Sequence, residues 1–148
     1  MALVVVGVDG SEQSRRALDW ALPYAAARGA TVQAIMTVNT KDLDEAERAT
    51  RWADAERTLV AMVADSLEAS RHRPVVSYEV VEGDPIVTLV DATRGADLVV
   101  LGSHGMSSIS NPALGSVSLA CIRMGSCPVL VIPWGRPDPL LHGEVAPR

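Results

Sequence analysis

With 148 residues, 48% of them hydrophobic and 21% charged, the chain is sized for one globular domain with a buried core. Three Trp, two Tyr and no Phe leave Val, Leu, Ile, Ala and Met to build that core. A net charge of −5, with no basic run longer than Arg71-His72-Arg73, argues against a nucleic-acid partner.

Residues Leu3–Val8 form an apolar, largely β-branched run, the pattern of a strand buried on both faces. Asp9-Gly10-Ser11 breaks it. From Glu12 to Arg28, Ala17, Trp20, Ala21, Tyr24 and Ala25 recur at helical spacing, and Gly29 stands where a left-handed cap belongs. Thr31–Val38 predicts a second strand. A helix from about Asp42 to Ser70 follows, with Trp52, Leu59, Val63 and Leu67 on its apolar face, and Pro74 forbids its continuation. Val75–Val81 predicts the third strand. Asp84-Pro85 pairs a capping carboxylate with proline at the first helical position, which opens a helix running to Gly95. Leu98–Leu101 predicts the fourth strand. Asn111-Pro112 repeats the cap-and-proline signal and predicts a helix through Met124, closed by Gly125. Val129–Ile132 predicts the fifth strand.

Strands alternating with helices predict an α/β domain: a parallel sheet with helices on both faces and right-handed crossovers. The domain spans 1–133. Residues 134–148 contain three prolines and no periodicity, and read as a C-terminal tail. The opening "MALVVVGVDG" lacks a basic region and a cleavage site, and no stretch is long enough to span a bilayer, so the expected location is the cytoplasm, with no membrane partner. Two cysteines, Cys121 and Cys127, sit in apolar contexts suited to buried thiols, and no Cys–His cluster has metal spacing.

Ligands of open parallel sheets bind beyond the carboxyl ends of the strands, where the strand order reverses. The first strand ends in Asp9-Gly10-Ser11 and the fourth in Gly102-Ser103-His104-Gly105. An order of 3-2-1-4-5 makes these tips neighbours; 2-1-3-4-5 separates them, and periodicity leaves both open. The stretch "LGSHGMSSISNPALGSVS", residues 101–118, is dense in small residues. Glycines let backbone amides close on an anion, and a helix beginning near Pro112 would aim its positive end there, with Gly115 and Ser116 on its first turn. Ser107, Ser108, Ser110 and Ser116 add hydroxyls. Asp9 suits a ribose hydroxyl or a metal bridging phosphates. It suits equally well a capping box for the first helix, with Glu12 as partner.

Gly102-x2-Gly105-x9-Gly115-Ser116 resembles the nucleotide-binding signature of the universal stress protein family. "VVGVDGS" at 5–11, "EGDP" at 82–85, "ADLVVLGSHG" at 96–105 and "CPVLVIP" at 127–133 match that family as well, in order, over residues 2–133. The resemblance implies an open five-stranded parallel sheet of order 3-2-1-4-5. It implies an adenine nucleotide held by Asp9 and Gly10 at the ribose and by the backbone of Val38 at the adenine. It implies phosphate contacts at Gly102, Gly105, Gly115 and Ser116, with Ser103 and Ser118 nearby and Val117 among the cofactor-binding residues. It also implies a homodimer paired through the last strand, which would cover an otherwise unpaired edge. The spacer "MSSISNPAL", 106–114, carries no charge, so neutralising a triphosphate falls to backbone groups, hydroxyls and Mg²⁺. ATP is the expected ligand, with ADP, AMP and cAMP as alternatives.

The chain has no P-loop, no GxGxxG after its first strand and no GxSxG elbow. His104 beside Ser103 does not make a nucleophile–base pair. The leading expectation is a nucleotide-binding regulatory module of the stress response, read by a protein partner, with no catalytic constellation in the sequence. The alternatives are a slow ATPase or phosphotransferase using Asp9 and Mg²⁺, and a ligand-free structural dimer.

Overall fold

The computed structural model describes residues 2–103 and 114–133. Its elements are β1 (Leu3–Val8), α1 (Glu12–Arg28), β2 (Thr31–Val38), α2 (Glu45–Ala69), β3 (Val76–Glu82), α3 (Pro85–Ala92), β4 (Leu98–Gly102), α4 (Ser116–Met124) and β5 (Val129–Ile132). The strands form one parallel sheet in the order β3-β2-β1-β4-β5. Val6 pairs with Ala34 of β2 on one side and with Val100 of β4 on the other, so β1 lies between the two crossover halves. The alternative order 2-1-3-4-5 is thereby excluded.

Because side chains alternate across the pleat, the central strands supply two cores. Val4, Val6, Val8 and Val100 pack with Leu18 and Leu22 of α1 and Leu59 of α2. Val5, Ile35, Val99 and Leu101 pack with Leu89 of α3 and Cys121 of α4. Fully burying a side chain of this kind stabilises the fold by about 1.5–3 kcal/mol. Both core faces are thus covered by helices, and the carboxyl ends of all five strands open on one edge.

Local chemistry sets the element ends. Gly29 closes α1 in the left-handed conformation, φ 63°. Asp84 accepts from the amides of Ile86 and Val87, with Pro85 behind it. Several ends differ from the expectation. The second helix begins at Glu45, capped by Asp44, because Asp42 adopts φ 64° and cannot continue a right-handed helix. The third ends at Ala92, where the Thr93 hydroxyl turns back to the Val90 carbonyl and the chain proceeds to Gly95 as a turn. The third strand is displaced by one residue, and the fourth extends to Gly102.

The last helix starts at Ser116, not near Pro112, and Gly115 is its cap with an extended backbone, φ −65° and ψ 160°. The expected starting pair Asn111-Pro112, the residues Gly105, His104, Ser107, Ser108 and Ser110, and the tail 134–148 lie outside the described residues.

The apolar stripes also shift. On α1 the buried positions are Ala17, Leu18, Ala21, Leu22 and Ala25, while Trp20 is exposed and stacks on Tyr24, with Arg28 over the Tyr24 ring. On α2 Trp52 is 38% exposed and not a core residue, since the buried positions of that helix begin only at Ala55. Cys121 is buried and Cys127 half-buried; both are free thiols. Burial, with Cys127 nearby, pushes the Cys121 thiol above its ordinary value, and burial does the same for Cys127. A protonated, shielded thiol is a packing group.

Candidate functional site

The site is built where β1 and β4 end side by side. At the tip of β1, Asp9 Oδ1 accepts from the backbone amide of Ser11 at 3.0 Å and from its hydroxyl. Ser11 in turn accepts from the Ser14 amide at 3.2 Å and is the cap of α1. The capping role read for Asp9 with Glu12 therefore belongs to Ser11. Asp9 stands at the exposed tip, two residues before the cap, its amide held by the Ser14 hydroxyl at 3.3 Å. Gly10 follows with φ 84°, a left-handed turn that side chains disfavour.

At the tip of β4, three contacts fix the geometry. The Ser103 amide donates to the Ile132 carbonyl at 2.9 Å, which ties the tip to β5. The Gly115 amide donates to the Ser103 carbonyl at 2.6 Å, and the Ser118 hydroxyl donates to the Gly102 carbonyl at 2.7 Å. The last two bonds clamp the first turn of α4 against the end of β4. Gly102 and Ser103 are thus brought to one place with Gly115, Ser116, Val117 and Ser118, although residues 104–114 separate the two groups in sequence.

These bonds also sort the donors. The Gly115 amide and the Ser118 hydroxyl are engaged in holding α4 in place. The amides of Ser116, Val117 and Ser118, at the positive end of the helix, meet no acceptor among the described residues. Ser103 is only 5% exposed, yet its hydroxyl too meets no partner there. Gly105 lies outside the described residues.

On the other side of β1, Val38 ends β2. Its carbonyl accepts from the Gly83 amide at 2.9 Å. Beyond it the Thr40 hydroxyl and Arg48 both donate to Glu82 Oε1, the arginine at 2.8 Å. The Thr40 hydrogen bond, aided by the Arg48 charge and opposed by desolvation, holds the Glu82 carboxyl below its ordinary value. Sequence reasoning missed this cluster, as well as Gln13, which packs under Gly102, and Thr58, which packs against Gly10. The "EGDP" block was the available signal for Glu82; nothing in the sequence marked the other two.

Among the described residues, no group of three His, Cys, Asp or Glu side chains could hold a metal ion, and no helix is long and apolar enough to cross a membrane. At the start of α4, three backbone amides thus meet no acceptor among the described residues, and the Asp9 carboxylate stands at the adjacent strand tip.

The model of the Universal stress protein family matches residues 2–133. The universal stress protein Rv2005c of Mycobacterium tuberculosis is 35% identical over 139 residues, covering 87% of this chain and 47% of its own length. The chain spans about half the length of the curated relatives it matches. A universal stress protein solved in complex with cAMP is 29% identical, with a TM-score of 0.69 over 88% of this chain and 96% of its own. The universal stress protein of Archaeoglobus fulgidus in complex with dAMP shares the fold, with a TM-score of 0.65 at 22% identity over 89% of this chain and 97% of its own.

Proposed function

Since the chain belongs to the universal stress protein family, we propose that it binds an adenine nucleotide across the tips of β1, β2 and β4 and acts as a regulatory module. Phosphate oxygens would accept from the amides of Ser116, Val117 and Ser118, with Gly102, Ser103, Gly105 and Gly115 shaping the cradle. Asp9 and Gly10 would meet the ribose, and the backbone of Val38 the adenine. The observation that carries this reading is the clamped start of α4, whose amides at Ser116, Val117 and Ser118 meet no acceptor among the described residues and lie by the strand tip next to that of Asp9. The complexes of relatives with cAMP and dAMP support the ligand class.

Residues 102–118 contain no Lys or Arg, whereas phosphoryl transfer needs charge neutralised at the transferring group. Binding read by a protein partner suits the site better than turnover. With ATP, Mg²⁺ would arrive on the phosphate oxygens, and Asp9 is the carboxylate at hand. The half-buried edge strand β5, beside the exposed Leu119, Ile122 and Met124 of α4, supports a homodimer paired through that strand.

Isothermal titration with ATP, ADP, AMP and cAMP tests the reading. Saturable binding of at least one is expected, weakened about tenfold or more by Asp9→Ala, the loss expected for a hydrogen bond to a charged group. No binding of any of the four contradicts it.

A further inference from the structure

The first ten residues of α2, Glu45 to Asp54, are all exposed, whereas Ala55, Leu59, Val63 and Ser66 are buried further along. At 1.5 Å per residue this overhang is about 15 Å long. It begins beyond the carboxyl end of β2, beside the proposed nucleotide crevice. Two contacts identify the flank that faces the strand tips. Arg51 Nη1 donates to the carbonyl of Asn39, the residue after Val38, at 3.4 Å. Two turns later, Thr58 Cγ2 stands 3.3 Å from where a Cβ on Gly10 would lie, next to Asp9. Residues seven apart share a helix flank, so one side of α2 runs from the tip of β2 to the tip of β1.

The two arginines of this segment differ. Arg48 is paired with Glu82 at 2.8 Å. Arg51 has no carboxylate within ion-pair distance among the described residues. The start of α4 lies by β4, two strand spacings or about 10 Å from β2. Arg51 therefore stands at the base end of the crevice, away from the phosphate end.

We propose that Arg51 is a nucleotide-binding residue whose planar guanidinium covers the face of the bound purine. This rests on the nucleotide reading above and names a contact that reading does not contain. A cation over an aromatic face is attractive, and a plane matches a plane better than an ammonium does.

The test is titration of ADP and AMP into the wild type, Arg51→Gln and Arg51→Lys. Gln keeps an N–H donor for the Asn39 carbonyl, and circular dichroism reports whether α2 stays formed. Arg51→Gln is expected to weaken ADP and AMP by the same factor, about tenfold, with Arg51→Lys recovering only part. Unchanged affinities overturn the role of Arg51 alone. So does a loss larger for ADP than for AMP, which would put Arg51 on the phosphates. A wild type that binds neither nucleotide overturns the underlying reading and this one with it.

Discussion

A methyl group on Gly102 would meet Gln13 Cβ at 2.7 Å and the Gln13 backbone carbon at 2.9 Å. The side chain can move but the helix backbone cannot, so α1 requires glycine here whether or not a ligand is present. Gly102→Ala is expected to lower stability by about 1–3 kcal/mol in urea denaturation without nucleotide. An unchanged midpoint would show that α1 gives way freely. Gly115 and Ser118 likewise carry structural duties, because their amide and hydroxyl hold α4 to β4. Spacing marked these residues as a group. It did not separate those whose bonds hold α4 to β4 from those whose amides meet no acceptor among the described residues, since that division depends on bonds between residues distant in sequence.

At the scale of elements, Glu82 joins β3 to the start of α2 through Arg48 and to the segment after β2 through Thr40. Its carboxyl titrates below the ordinary 4.5. A folded-state value lower than the unfolded one stabilises the fold above the unfolded value, and this contribution is lost as pH falls through the folded one. Glu82→Gln is thus expected to flatten the fall of melting temperature on acidification below about pH 4.5, an effect that salt reduces. An acid limb identical to the wild type's would contradict the clip. Strands and capped helices were legible because local signals fix them: Gly29 and Asp84 act as their neighbours imply. The exposure of Trp52 and the start of α4 were not. The first depends on α2 packing only from Ala55 onward, and the second on the Gly115–Ser103 bond.

For the whole molecule, the strand order decides whether the proposed site can form, because β3-β2-β1-β4-β5 sets the tips of β1 and β4 side by side and 2-1-3-4-5 would not. Alternation predicted the layers, and the family resemblance supplied the order. The overhang of α2 was illegible, since its Arg51 flank acquires meaning only from the tips of β1 and β2. The central claim is a phosphate on the α4 amides beside Asp9. Backbone amide NMR during titration with ADP tests it most directly. Saturable shifts at Ser116, Val117 and Ser118, together with Asp9 and Gly10, are predicted; shifts confined to other surfaces, or none, would contradict it.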